Sequence, residues 1–169
     1  MTIELKRLSA AALPRALERA EHYRLLNEPW AAESICLDIL AVEPAHQAAL
    51  KVLLLARCDQ FVHDTGGAVQ RAKETLAALT GDYERAYYAG LILERRAKAR
   101  LQQRAPGAGF VAFEWLSEAM TWYEKAEALR PAGNDDALLR WNTCARMINE
   151  TPGIVARENE QGGGHTLGE

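Results

Sequence analysis

The sequence predicts an all-α fold: a helical-repeat solenoid of three antiparallel helix hairpins closed by a C-terminal capping helix, with the third hairpin lengthened. Three observations predict it. First, Ala119, Tyr123, Ala126 and Pro131 reproduce the spacings of Ala32, Cys36, Ile39 and Pro44: four, three, then five residues. A small residue, a bulkier one, another non-polar one and a terminating proline describe one face of a helix that must lie close against its neighbours. Second, apolar residues recur at helical period over most of residues 9 to 150, with turn chemistry between the runs. Third, two independent sets of positions give the same offsets. Ala32 to Ala68 is 36 residues and Ala68 to Ala119 is 51; Ala20 to Leu54 is 34, Leu54 to Gly90 is 36 and Gly90 to Trp141 is 51. Against a unit of about 34 residues, these place a 2-residue insertion in the second hairpin and a 17-residue lengthening in the third.

In chain order, residues 1–8 are a lead-in, and Ser9 to Asn27 forms the first helix, with Leu13, Leu17, Ala20 and Leu25 on one side and Pro14 in the first turn. Asn27-Glu28-Pro29 ends it and caps the second, which runs to about Val42 and buries Ala32, Ile35, Cys36, Ile39 and Leu40 before Pro44. The third, Ala45 to Gln60, is apolar over so wide an arc that it should be sandwiched. His63-Asp64-Thr65-Gly66-Gly67 reads as a turn, Ala68, Ala72, Leu76 and Leu79 mark the fourth helix, and Gly81-Asp82 supplies a stop and a fresh N-cap. The fifth (Asp82 to about Arg104) and sixth (Phe110 to Arg130) flank the break Ala105-Pro106-Gly107-Ala108-Gly109. Asn134 caps the seventh, which ends near Glu150 with Ala137, Leu138, Trp141, Ala145 and Ile148 facing inward. Domain 9–150 is therefore helical, and residues 151–169, with Gly162-Gly163-Gly164 and few apolar groups, are expected to be disordered.

This pattern resembles the tetratricopeptide repeat (TPR) family over residues 13 to 148. Ala20, Tyr23, Ala32 and Pro44, and then Gly90, Ala119, Tyr123, Ala126 and Pro131, fall where that family places small, aromatic and proline residues. The middle unit departs, with Leu54 at a usually small position and no proline after Leu79. Trp141 replaces a small residue in the last helix, where no partner follows to need close approach.

A formal net charge of −3, with 20 basic and 23 acidic residues mixed along the chain, does not point to nucleic acid or membrane. No apolar run approaches the length of a membrane span, and the N-terminus has no signal-type apolar region, so the expected location is cytoplasmic. Cys36, Cys58 and Cys144 are odd in number and sit within helical patterns, which fits reduced core thiols and neither a disulfide framework nor a metal site.

Catalytic motifs are missing: there is no GxxxxGK[ST], HExxH or CxxC, and Asp64-Thr65-Gly66 is better read as a turn than as a protease loop. Neither a cofactor nor a metal is expected. Glu28 with Glu33, and Glu114 with Glu118, are read as solvated helix faces. The basic run Arg95, Arg96, Lys98, Arg100 and Arg104 is expected to be answered by Glu114 and Glu118 across the hairpin, and not by phosphates.

The resemblance implies a non-enzymatic interaction module or scaffold that binds a peptide or partner segment on the concave surface made by the first helix of each hairpin. The residues assigned to that surface are Lys51, Leu55, Tyr87, Leu91, Arg95, Leu138, Asn142 and Arg146. Asn142 and Arg146 stand one turn apart, so both can reach one ligand. The rival functions are a secretion-type chaperone holding an apolar segment and a structural homo-oligomer joined through the long third hairpin.

Overall fold

The computed structural model describes residues 2–63 and 67–158, and among them it contains seven α-helices and no strand. After a short 3-10 turn at Ala10–Ala12, these are α1 (Leu13–Leu25), α2 (Pro29–Val42), α3 (Gln47–Cys58), α4 (Gly67–Ala77), α5 (Asp82–Gln102), α6 (Ala108–Leu129) and α7 (Asp136–Glu150). The turn expected at 64–66 and the tail expected from 159 to 169 lie outside the described residues.

Local chemistry sets the boundaries. Asn27 ends α1 in a left-handed conformation (φ 61°), which a short polar side chain tolerates, and Pro29 opens α2, where its missing N–H costs nothing. The His46 Nδ1 accepts from the Ala49 N–H at 3.2 Å, a cap for α3 that the sequence reading did not include. Gly107, also left-handed (φ 68°), starts α6 two or three residues earlier than expected. Asp135, not the expected Asn134, is the N-cap of α7, and the Asn134 Oδ1 accepts from the Asp136 N–H at 3.0 Å just ahead of the helix.

Each helix packs on the next in the chain, and α1 and α5 also touch α3. Of the positions used to align the sequence, Ala20, Ala32, Leu54 and Ala119 are 0% exposed, Ala68 1%, and Gly90 is buried, whereas Trp141 is half-buried. Seven of the twelve residues of α3 are buried, which accounts for its wide apolar arc. The α5–α6 pair, 21 and 22 residues long, forms the most extensive helix–helix interface, and α7 lies along it. Their shared core gathers Leu93, Leu116, Tyr123 and Cys144, with Trp141 half-buried against it. All three cysteines are buried; burial pushes the Cys36 and Cys144 thiols up to about 12, and Cys58 up as well.

The chain past α7 departs from the expectation at Ile154, which is 3% exposed and joins the α5–α6–α7 core. The turn at Thr151–Gly153 brings the Ile154 N–H onto the Thr151 carbonyl (2.9 Å) and lays the Gly153 carbonyl against Gly109, where an added Cβ would stand 1.8 Å from that oxygen. Ile154 therefore finds a place to bury, whereas the adjacent Val155 stays exposed.

Gly90 is the close approach between α5 and α6. A Cβ there would lie 2.9 Å from the Tyr123 ring and 3.1 Å from the Ala119 carbonyl. Tyr123 is fully buried and its hydroxyl is held, so neither neighbour yields cheaply. Gly90→Leu is expected to destabilise the fold by about 1 to 3 kcal/mol through overpacking. The measurement is a chemical-denaturation midpoint; an unchanged midpoint would show that α6 shifts freely at this contact.

Candidate functional site

The odd-numbered helices are tied to one another by charged side chains. Asp59, at the C-terminal end of α3, lies 2.8 Å from Arg24 of α1 and 3.4 Å from Arg95 of α5. A carboxylate at a helix C-terminus opposes the helix dipole, and two guanidinium groups offset that cost. Further along, the Glu94 carboxylate of α5 is 0% exposed. It accepts from the Tyr123 hydroxyl at 2.7 Å, from the Lys98 ammonium, and from the Arg140 guanidinium of α7 at 3.3 Å. Burial, the largest single influence, raises the Glu94 pKa, but Lys98, Tyr123 and Arg140 together hold it below the usual carboxylate value. The Tyr87 ring beside this cluster sits 5.9 Å from Tyr83 and 5.8 Å from Tyr123.

Most of the residues assigned to the binding face are accessible on these helices. Lys51 and Leu55 are half-exposed on α3, and Leu55 lines a hollow of about 240 Å³ with Arg24 and Leu25. On α7, Leu138 and Asn142 are half-exposed and Arg146 is exposed, on successive turns. Tyr87 is half-exposed but fixed within the tyrosine cluster, and Arg95 is engaged with Asp59. Leu91 is a correction: it is 0% exposed and cannot touch a partner. Leu91, Ile92, Leu93 and Glu94 are all buried, a whole turn of α5, because α3, α4 and α6 pack around that helix.

Two other expectations change. Glu33 is not on a solvated face: it accepts from Arg57 at 2.8 Å and from Gln60 at 2.6 Å, and Arg57 continues to Thr75, so this cluster joins α2, α3 and α4. The basic run is answered in part from other places than expected. Arg95 pairs with Asp59 and Lys98 with Glu94; Glu118 acts on Arg96, whereas Glu114 pairs with Arg157.

The sequence reading missed a second surface. Between α4 and α6, with α5 as its floor, lies an open cleft of about 730 Å³ lined by Leu76, Ala86, Ala89, Trp122 and Leu129. Trp122 and Leu129, seven residues apart on α6, were the available signal. Among the described residues, no cluster of three or more His, Cys, Asp or Glu could hold a metal ion, and no helix is long and apolar enough to cross a membrane. No family model, curated protein or solved structure matches this chain.

The Glu94 cluster sets an acid-stability expectation. Because the folded-state pKa of Glu94 is depressed from 4.5, its contribution is present above the unfolded value and is lost as pH falls through the folded value. At neutral pH, Glu94→Gln should cost about 1 to 3 kcal/mol, less than a wholly buried pair would, since Lys98 and Arg140 are 31% and 32% exposed. Tyr123→Phe should cost about 1.5 to 3 kcal/mol by removing a hydrogen bond to a charged group. Thermal melts between pH 3 and 7 check both: the stability lost on acidification should be smaller in Glu94→Gln than in the parent.

Proposed function

We propose that the chain is a TPR-like helical-repeat scaffold, a non-enzymatic module that binds a peptide or partner-protein segment across the face of α1, α3, α5 and α7. The observation that carries this reading is the series of polar links from Arg24 through Asp59 to Arg95, continued by Glu94 to Arg140, which connects α1, α3, α5 and α7 in turn. A surface shared by four helices suits a ligand that lies across it, and Lys51, Leu55, Leu138, Asn142 and Arg146 offer mixed apolar and directional contacts there. Exposed charge pairs contribute only about 0 to 1 kcal/mol each, so Leu55, Leu138 and the Tyr87 ring must supply most of the affinity. Micromolar binding is the expected scale.

The test is capture of a partner by the intact protein, identification by mass spectrometry, and titration of that partner against Lys51→Glu combined with Arg146→Glu. Neither side chain is in the core, so the variant should melt like the parent and bind about tenfold or more weakly. Equal binding would remove the partner from this face.

A further inference from the structure

We propose that the cleft between α4 and α6 is a docking groove for an amphipathic helix of a partner protein, one whose apolar stripe is bordered by acidic residues. This surface is separate from the face of α1, α3, α5 and α7, and the inference does not depend on that reading. The cleft exists because the helices around it are unequal. α4 has 11 residues, whereas α5 and α6 have 21 and 22, and α4 packs on α5 far less extensively than α6 does. The main hollow continues into a second of about 310 Å³ that shares Lys73, Leu76, Ala89 and Trp122 with it. Together they follow α5 from Asp82 to Arg96, which at about 1.5 Å per residue gives a groove of about 21 Å, or roughly four helical turns.

The surfaces fit a helix better than an extended chain. The floor is Ala86 and Ala89, small enough for another backbone to approach closely, and the walls are Leu76, Trp122 and the exposed Leu129. All three bounding elements are α-helices whose backbone groups are already bonded internally, so an extended segment would find no ladder of main-chain partners. An amphipathic helix brings its own hydrogen bonds and needs only an apolar groove.

Charge identifies what borders the apolar stripe. The lining carries four cations, Lys73, Arg85, Arg96 and Lys125, against two carboxylates, Asp82 and Glu118, in a chain whose formal net charge is −3. Asp82 is engaged by Arg85 at 2.6 Å, and Glu118 acts on Arg96. Lys125 lies 4.2 Å from the centre of the Trp122 ring and Arg96 4.1 Å from that of Trp115, so two of the cations sit directly beside the aromatic wall. Lys73 and Lys125 enter no ion pair among the described residues. A helix with glutamates or aspartates beside its apolar stripe would answer both.

The experiment uses two fluorescein-labelled synthetic helices of about four turns, with the same leucine stripe. In one the stripe is bordered by glutamate and in the other by lysine, and each is titrated with the full-length protein by fluorescence anisotropy near physiological salt. The glutamate peptide should bind about tenfold or more tightly than the lysine peptide. Leu129→Asp should weaken it about fivefold or more, while Lys51→Glu with Arg146→Glu should leave it unchanged. Lys73→Glu combined with Lys125→Glu should reverse the preference and favour the lysine peptide. Leu129, Lys73 and Lys125 are all exposed, so these variants should melt like the parent. Equal binding of the two peptides, a preference that does not reverse, or a loss confined to the Lys51 and Arg146 substitutions would each overturn the proposal. A concentration-dependent mass that Leu129→Asp abolishes would also overturn it, by assigning the cleft to a second copy of the chain.

Discussion

The Glu94 carboxylate draws one partner from each of the last three helices: Lys98 from its own, Tyr123 from α6 and Arg140 from α7. A buried charge of this kind is tolerated only when its partners are already in place, because its desolvation costs more than any single contact returns. The arrangement of α5, α6 and α7 is thereby constrained. Tyr123 must reach Glu94 with its hydroxyl while its ring fills the gap beside Gly90, which brings the α5 and α6 backbones together. Replacing either residue with one of another size would misplace the other. Arg140 then ties α7 to α5 through Glu94, and the Tyr87 ring packs between those of Tyr83 and Tyr123.

The other half of the molecule uses the same device with less burial. Glu33 gathers Arg57 and Gln60 to join α2 to α3, and Arg57 passes on to Thr75 of α4. Asp59 gathers Arg24 and Arg95 to join α1, α3 and α5. In each cluster an acid on one helix is shared by cations or amides on others, and such directional links add specificity to apolar contacts that would tolerate sliding. Alanine, glycine and leucine at the crossings allow the approach, and the polar clusters select among the packings it permits.

Unequal helix length is the second constraint. The long α5–α6 pair outreaches α4, so part of its apolar surface has no neighbour of matching length and an apolar cleft remains beside Trp122. The molecule therefore carries two surfaces of different character. The one across α1, α3, α5 and α7 is polar and crosslinked by its own ion pairs; the one between α4 and α6 is apolar with a cationic rim. A partner at the first meets scattered apolar side chains among polar ones, Arg95 already being held by Asp59, whereas a partner at the second covers a continuous apolar hollow, and that difference separates the two proposals energetically.

Local chemistry in the sequence was enough to place the helices. Apolar period, the start signals at Pro29 and Asn134, and the breaks at Asn27, Pro44 and Gly107 act within a few residues, so they are legible without knowing what packs where. The alignment offsets likewise found interior positions, because a residue at a helix crossing must be small or wholly apolar whichever neighbour it meets. Exposure on α5 was a different matter. Leu91 reads as a surface residue when only one stripe of a helix is assumed buried, and it is 0% exposed, like the neighbouring Glu94, because neighbours close on α5 from several sides. Glu33 was misread for the same reason, and Ile154 because one buried side chain in a short non-helical segment leaves no periodic trace. Of the cleft the sequence carried only the Trp122–Leu129 spacing, since a groove is the space left between helices of unequal length. Sequence determined which segments are helical and which residues can tolerate close contact; only the tertiary structure decided how many neighbours each helix has, and burial follows from that number.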